Sequence, residues 1–179
     1  MASSIIFCYT KASAIWLADK LRSNNRDVAL LHGNMDVADR ERIAREFKDG
    51  KYKVLITTNV SSRGLDMPQV SLIVNYDPPV THEVPPNPAK PDYDTYLHRI
   101  GRLVIISLYP NYNLPSTYPH LFRTGRFGKP GLAINLVDSD IVMGFVKAFE
   151  TYFGRPITQL DAEDTDQLDE IEAKSRQYL

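Results

Sequence analysis

Lys53-Val54-Leu55-Ile56-Thr57, running directly into Thr58-Asn59-Val60-Ser61-Ser62-Arg63-Gly64-Leu65-Asp66, is the stretch that decides the class of fold. A short apolar run rich in β-formers reads as a buried strand, and the segment after it reads as a polar turn. The same grammar extends outward in both directions. Upstream, Asp36 is placed to cap a helix with Ile43, Ala44 and Phe47 inward, and Gly50 stops it. Before that helix a strand is expected over Asp27 to Leu31, ending at His32-Gly33. Ser4 to Tyr9 reads as a central strand. Thr10 then caps a helix with Ile15, Leu17, Ala18 and Leu21 inward and Trp16 at its edge.

Downstream, Val70 to Tyr76 reads as a strand. Pro78 to Pro91 holds six prolines and reads as an irregular surface loop. A short helix is expected over Asp92 to Arg102, a strand over Gly131 to Val137, and a helix over Asp138 to Phe153. That last helix is expected to bury Ile141, Val142, Phe145, Val146 and Phe149. A final helix is expected around Gln167 to Gln177. Strands alternating with helices at short spacing imply an α/β fold, a parallel sheet with helices on both faces. In such folds chemistry gathers beyond the carboxyl ends of the strands. His32-Gly33-Asn34, Thr57 to Asp66 and the loop after Tyr76 all fall there.

The 179 residues suffice for one domain, expected to span 1–179. A hydrophobic share of 43% with 24% charged residues is ordinary for a globular chain. The net charge of −1 hides a separation. No acidic residue lies between Thr95 and Val137, where Arg99, Arg102, Arg123, Arg126 and Lys129 are found. Seven acidic residues and no basic one lie between Asp161 and Glu172, within an acidic tail expected from about 158. The basic stretch suits an anion or a solvated face. The lone Cys8, inside Ile5-Ile6-Phe7-Cys8-Tyr9, excludes an internal disulfide, fits a reducing compartment and reads as a buried, inert thiol. No apolar run reaches the roughly 18 residues of a membrane span. The abrupt entry into a buried-type strand suggests a fragment lacking an upstream portion.

His98-Arg99-Ile100-Gly101-Arg102 and Thr124-Gly125-Arg126-Phe127-Gly128 are two halves of one motif. Joined, they read HRIGRTGRFG. Arginines at regular spacing on a short helix hold fixed guanidinium forks against phosphate oxygens, where charge builds during phosphoryl transfer. Together with Ile5 to Lys11, with Leu31-His32-Gly33-Asn34-Met35 plus Arg40 and Phe47, and with Val54 to Asp66, this motif resembles the second RecA-like domain of a DEAD-box RNA helicase. Order and spacing match over nearly the whole chain. Val54 to Val60, Val74-Asn75-Tyr76-Asp77, the proline-rich loop and Tyr152-Phe153-Gly154 are most similar to the nuclear-pore subfamily that drives mRNA export.

The resemblance implies roles. Asp66, after the Gly64 turn, would contact the nucleotide ribose. Arg102 and Arg126 would meet the γ-phosphate of ATP, Arg126 as the finger. His98 and Arg99 would link their helix to the catalytic motifs of the other domain. Gly33, Arg40 and Thr58 would contact single-stranded RNA through its backbone, without reading bases. The family often carries Gln three residues before this arginine, and Val37 stands there instead, which puts one polar contact in doubt. The Gly-x-x-x-x-Gly-Lys-Ser/Thr phosphate loop and the Asp-Glu-Ala-Asp stretch are absent from the sequence. In the family both lie in the first RecA-like domain, which would hold ATP, Mg²⁺ and the attacking water. This chain is therefore expected to hold no metal of its own and to hydrolyse no ATP alone. The resemblance also implies nuclear-pore and helicase-activator partners, and a location in the nucleus, at the pore and in the cytoplasm.

Residues 103–123 interrupt the motif. Leu103 to Tyr109 is apolar, and Pro110, Pro115 and Pro119 then alternate with Asn and Tyr. Removing Leu103 to Arg123 restores HRIGRTGRFG with no residue missing or spare. We read the segment as an in-frame intron retained in the coding sequence; arginine at both junctions fits a split codon. The rival reading is a true insertion forming a hydrophobic lobe for a partner. For the whole chain, the alternatives to a helicase half are a non-catalytic adaptor that binds protein partners and a half-helicase acting on DNA.

Overall fold

The structure is a computed structural model. It describes residues 3–59, 70–81, 89–100, 104–109, 131–161, 164, 166, 167 and 170. In chain order the elements are β1 (Ser3–Phe7), α1 (Lys11–Ser23), β2 (Val28–Leu31), α2 (Val37–Lys48), β3 (Val54–Thr57) and β4 (Val70–Asn75). They continue with α3 (Tyr93–Ile100), β5 (Val104–Tyr109), β6 (Leu132–Leu136), α4 (Asp140–Phe153) and β7 (Thr158–Asp161). Among the described residues the strands form one seven-stranded sheet in the order β2-β3-β1-β4-β6-β5-β7. Every strand pairing in it is parallel.

Strand alternation divides the core between two faces. Ile5, Phe7, Leu55, Ile73 and Ala133 point to one face, where they meet Phe47 of α2, Tyr96 and Ile100 of α3, and Val146 and Phe149 of α4. Cys8 and Ile56 point to the other, where Ala14 and Ala18 of α1 close over them. The expected α/β architecture is therefore present, with helices on both faces. Each large apolar side chain sealed in this way contributes about 1.5–3 kcal/mol.

The helix caps follow the sequence. Thr10 accepts from the Ser13 amide and Asp36 from the Asp39 amide. Gly50 lies just past α2 at φ +79°, and Gly154 caps α4 at φ +59°. Asp92 accepts from the Thr95 amide at 2.9 Å and from its hydroxyl at 2.7 Å, so it starts α3 from outside. Stacking of Tyr96 on Phe149 (centroids 3.9 Å apart) and of Tyr93 on Tyr152 (4.0 Å) fastens α3 to α4.

Some expectations need correcting. Ile141 is 71% exposed, because the buried stripe of α4 runs through Val142, Val146 and Phe149, and Ile141 falls beside it. The helix begins at Asp140, with Ser139 as its cap. Thr158–Asp161, read as the start of an acidic tail, is a strand, with Leu160 buried. Within 103–123, residues 104–109 are a sheet strand lying between β6 and β7. The described part of this segment therefore belongs to the sheet rather than to a separate lobe, since an apolar run of this length can satisfy its backbone there. The rest of 103–123 lies outside the described residues.

Candidate functional site

Because the strands are parallel, their carboxyl ends share one edge. Leu31, Thr57, Phe7, Asn75 and Asn135 are register partners in sequence across β2, β3, β1, β4 and β6. Just beyond this row lie Gly33, after β2, and Thr58, after β3.

At the β2–β3 corner the Thr58 amide donates to the Leu31 carbonyl at 3.4 Å, tying the two strand ends together. Thr58 is buried, whereas Gly33, two residues past β2, is exposed. The Met35 amide closes the intervening turn onto the His32 carbonyl at 3.2 Å. Arg40 lies on the first turn of α2, half-buried. Its Nε is buried without a hydrogen-bond partner among the described residues, as is His32 Nδ1. Arg42, two residues on, is instead committed to Asp39 (2.9 Å) and Glu46 (3.5 Å). No carboxylate pairs with Arg40 among the described residues. Gly33, Arg40 and Thr58 thus come from neighbouring elements at one corner of the sheet.

The second centre is Arg99. It is 1% exposed and reaches three strand ends from α3. Nη1 donates to Asn75 Oδ1 and to the Asp77 carbonyl, both at 2.9 Å. Nη2 donates to Asn59 Oδ1. The guanidinium also lies over the Phe7 ring, 4.7 Å from its centroid. Burial pushes Arg99 down to about 10, against the pull of Asp77, so the group stays cationic at neutral pH. The polar chain continues inward: Asn75 Nδ2 donates to Asn135 Oδ1 at 2.8 Å, and Asn135 Nδ2 to the Tyr96 hydroxyl at 3.0 Å. Nearby, the Tyr9 amide donates to Asp77 Oδ2 at 2.7 Å. Burial, then the Asp77 charge, pushes the Cys8 thiol up to about 12, and Arg99 opposes this. Cys8 is fully buried and protonated, the inert thiol expected.

The motif residues therefore divide. His98 and Leu97 face outward from α3, while Arg99 and Ile100 face inward. Arg99 donates through Nη1 and Nη2 within this domain, while its Nε is buried without a hydrogen-bond partner among the described residues. Asp66, Gly64, Arg102 and Arg126 lie outside the described residues. Sequence reading missed Asn75, Asn135, Asn59, Asp77 and Tyr96 as members of a network. The available signal was an asparagine near the end of each of two largely apolar strands, since a buried amide must find a partner.

The profile of the helicase conserved C-terminal domain matches residues 2–107, more than half the chain. That match stops inside the segment 103–123. The human ATP-dependent RNA helicase DDX19A is 40% identical over 171 residues, 96% of this chain. The rat ATP-dependent RNA helicase DDX25 is 41% identical over 172 residues, again 96% of this chain. The chain spans about 30% of the length of these curated relatives. Among solved structures, S. cerevisiae Dbp5 bound to RNA and ADP BeF3 superimposes with a TM-score of 0.77 at 37% identity, covering 97% of this chain and 38% of that one. The C-terminal domain of the DEAD-box protein Dbp5 gives 0.74 at 38% identity, covering 96% and 82%. A Dbp5 variant bound to Nup159, Gle1, IP6 and ADP gives 0.73 at 35% identity, covering 98% and 38%.

Proposed function

From the membership of this chain in the helicase conserved C-terminal domain family, in its DEAD-box RNA helicase branch, we propose that it works as the second RecA-like half of an ATP-dependent RNA helicase. One observation carries the reading. The motif residues that the structure describes gather along a single sheet edge, at the carboxyl ends where this class of fold places its ligands.

In this reading Gly33, Arg40 and Thr58 hold single-stranded RNA by its phosphates and sugars. The Gly33 turn is exposed and leaves room for a backbone to approach. The half-buried Arg40 keeps its charge free of carboxylates among the described residues. Such a site binds sequence-independently and weakens as salt rises. The yeast relative caught with RNA and ADP BeF3 supports RNA as a ligand of this domain.

ATP would be shared between two domains. Its phosphates, Mg²⁺ and the attacking water belong to the first RecA-like domain, whose phosphate loop and Asp-Glu-Ala-Asp stretch this sequence lacks. Asp66, beyond the Gly64 turn, would accept from the ribose hydroxyls. Arg102 and Arg126 would supply cationic forks to the γ-phosphate. The chemistry of this donor set fits a nucleotide triphosphate edge, one carboxylate for sugar and two guanidinium groups for phosphate. The carboxyl-terminal turn of α3, anchored through Arg99, delivers the chain toward Arg102. His98, exposed on α3, would meet the opposing domain. A relative bound to Nup159 and Gle1 supports nuclear-pore and activator partners, and with them a role in mRNA export in the nucleus, at the pore and in the cytoplasm.

The test is to mix this chain with a first RecA-like domain of the family and measure ATP turnover with and without single-stranded RNA. Restored RNA-stimulated turnover supports the reading. Partner binding without any rescue favours the adaptor instead. Equal stimulation by DNA of the same sequence would count against an RNA enzyme, because the 2′-hydroxyl would then be irrelevant.

A further inference from the structure

Arg99 sits where two parts of the proposed site meet. On one side is the turn after β3, which begins with Thr58 and Asn59. On the other is α3, which leads to Arg102. Between them Arg99 is the described side chain that donates to both the turn, at Asn59 Oδ1, and the end of β4, at Asn75 Oδ1 and the Asp77 carbonyl. Its position is over-determined. Phe7 lies under the guanidinium, and Asn75 is itself held by Asn135, which is held by Tyr96 of the same helix. The loop of contacts is closed: α3 to β6, to β4, and back to α3. Among the described residues, the bond from Arg99 to Asn59 Oδ1 joins this frame to the turn.

We propose that Arg99 is a positioning residue that couples the Thr58-Asn59 turn to helix α3, so that RNA seated on the turn biases the segment leading to the phosphate arginines. The claim rests on the RNA reading given above. Its mechanical basis is the fork of the guanidinium. A planar group with donors fixed in direction cannot shift toward one partner without straining the bonds to the others. A displacement of the turn as RNA binds is thereby passed to α3, while the Asn75-Asn135-Tyr96 frame resists local give. A buried arginine that served only stability would hold α3 against the sheet and would leave the helix indifferent to what binds at the turn. A lysine here would keep the charge but replace the rigid planar fork with a compact ammonium on a flexible stem, and so lose the fixed directions that tie the three acceptors together.

The experiment uses the 179-residue chain, labelled with ¹⁵N, and an oligouridylate as probe. In the unmodified chain RNA is expected to shift the amides of Thr58 and Asn59 and also those of Leu97 to Ile100. In Asn59→Ala the turn should still respond, but the α3 response should fall at least threefold. A full α3 response in Asn59→Ala overturns the coupling, as does a silent α3 when the turn of the unmodified chain responds. If RNA moves no amide of the turn, the RNA reading fails on its own account. Amide exchange then decides the Arg99 claim. Arg99→Lys should speed exchange at Thr58 and Asn59 at least tenfold while leaving α1 and β2 unchanged. Unchanged exchange at the turn overturns it.

Discussion

Ile134 and Thr158 share one partner: Ile106 of β5 pairs with Ile134 on one side and with Thr158 on the other. The same holds one step on, where Leu108 joins Leu136 to Leu160. Strand β5 thus stands between two strands that already agree in direction and in register. Matched residues on parallel neighbours point to the same face. Deleting 103–123 would therefore leave β6 and β7 able to pair directly, Ile134 against Thr158 and Leu136 against Leu160. A chain lacking Leu103 to Arg123 and carrying Leu136→Cys and Leu160→Cys should form an internal disulfide on oxidation. Neighbouring strands lie about 4.8 Å apart, within bridging range, and strands one further apart lie roughly 10 Å apart, beyond it. The full-length chain with the same cysteines should stay unbridged. Bridging in both chains, or in neither, would contradict the direct pairing. Mass spectrometry of alkylated protein reads the result.

Asn75→Ala removes an acceptor from Arg99 and a donor from Asn135 in one change. Both partners are buried, at 1% exposure each. The cost is expected at about 2–4 kcal/mol, larger than for loss of an exposed hydrogen bond, because a charged group is left underpaired. Urea unfolding measures it. A loss under about 0.5 kcal/mol would mean that water replaces the amide and that the network contributes little.

Cys8 offers a pH test. Its folded value is raised from 9.0 to about 12, so the unfolded chain gives up this proton first. Stability should therefore fall as pH rises from about 9 towards 12, by up to about 1.4 kcal/mol per unit from this group. Arg99 acts with the opposite sign above about 10, because burial lowers its folded value from 12.5 and the unfolded chain then holds more protons. The clean window for Cys8 is therefore pH 9 to 10. Across it, the unmodified chain should lose stability relative to Cys8→Ala, as followed by urea titration at each pH. At pH 8 a disulfide reagent should modify Cys8 only after denaturant is added.

Gly50 and Gly154 hold positive φ angles with nothing near a hypothetical Cβ, so alanine at either site meets a backbone penalty and no clash. Each substitution should cost about 1 kcal/mol. Asn25 is at φ 56°, and Asn25→Gly should be neutral or slightly stabilising. Thermal melts of the three variants check the set.

How much was legible beforehand follows from physics. The β1 to β4 half could be read because its buried strands are largely apolar and each of its two helices begins at a side-chain cap, Thr10 and Asp36. Three features resisted. β7 is mostly polar and owes its place to Leu160, so it reads as tail. β5 is an apolar run, but it interrupts a motif, and its sheet partners, Leu132–Leu136 and Thr158–Asp161, are distant in sequence. Arg99 resisted because arginine is rarely fully buried, and burial here depends on three acceptors from two distant segments, the end of β4 and the turn after β3. At the site, Gly33, Arg40 and Thr58 come from neighbouring elements at one corner of the sheet. Asp66, Gly64, Arg102 and Arg126 fall outside the described residues.

The arginine pair gives the sharpest test. If removal of 103–123 brings Arg102 and Arg126 to an i, i+3 spacing in HRIGRTGRFG, one helical turn separates them, about 5 Å. A misplacement of about 1 Å already costs roughly 100-fold. The decisive measurement is ATP turnover by the chain lacking 103–123, mixed with a first RecA-like domain, with and without single-stranded RNA. The account predicts RNA-stimulated turnover, a loss of about 10³-fold or more in Arg126→Ala, and none from this chain alone. Turnover that ignores RNA, or that survives Arg126→Ala, would contradict it.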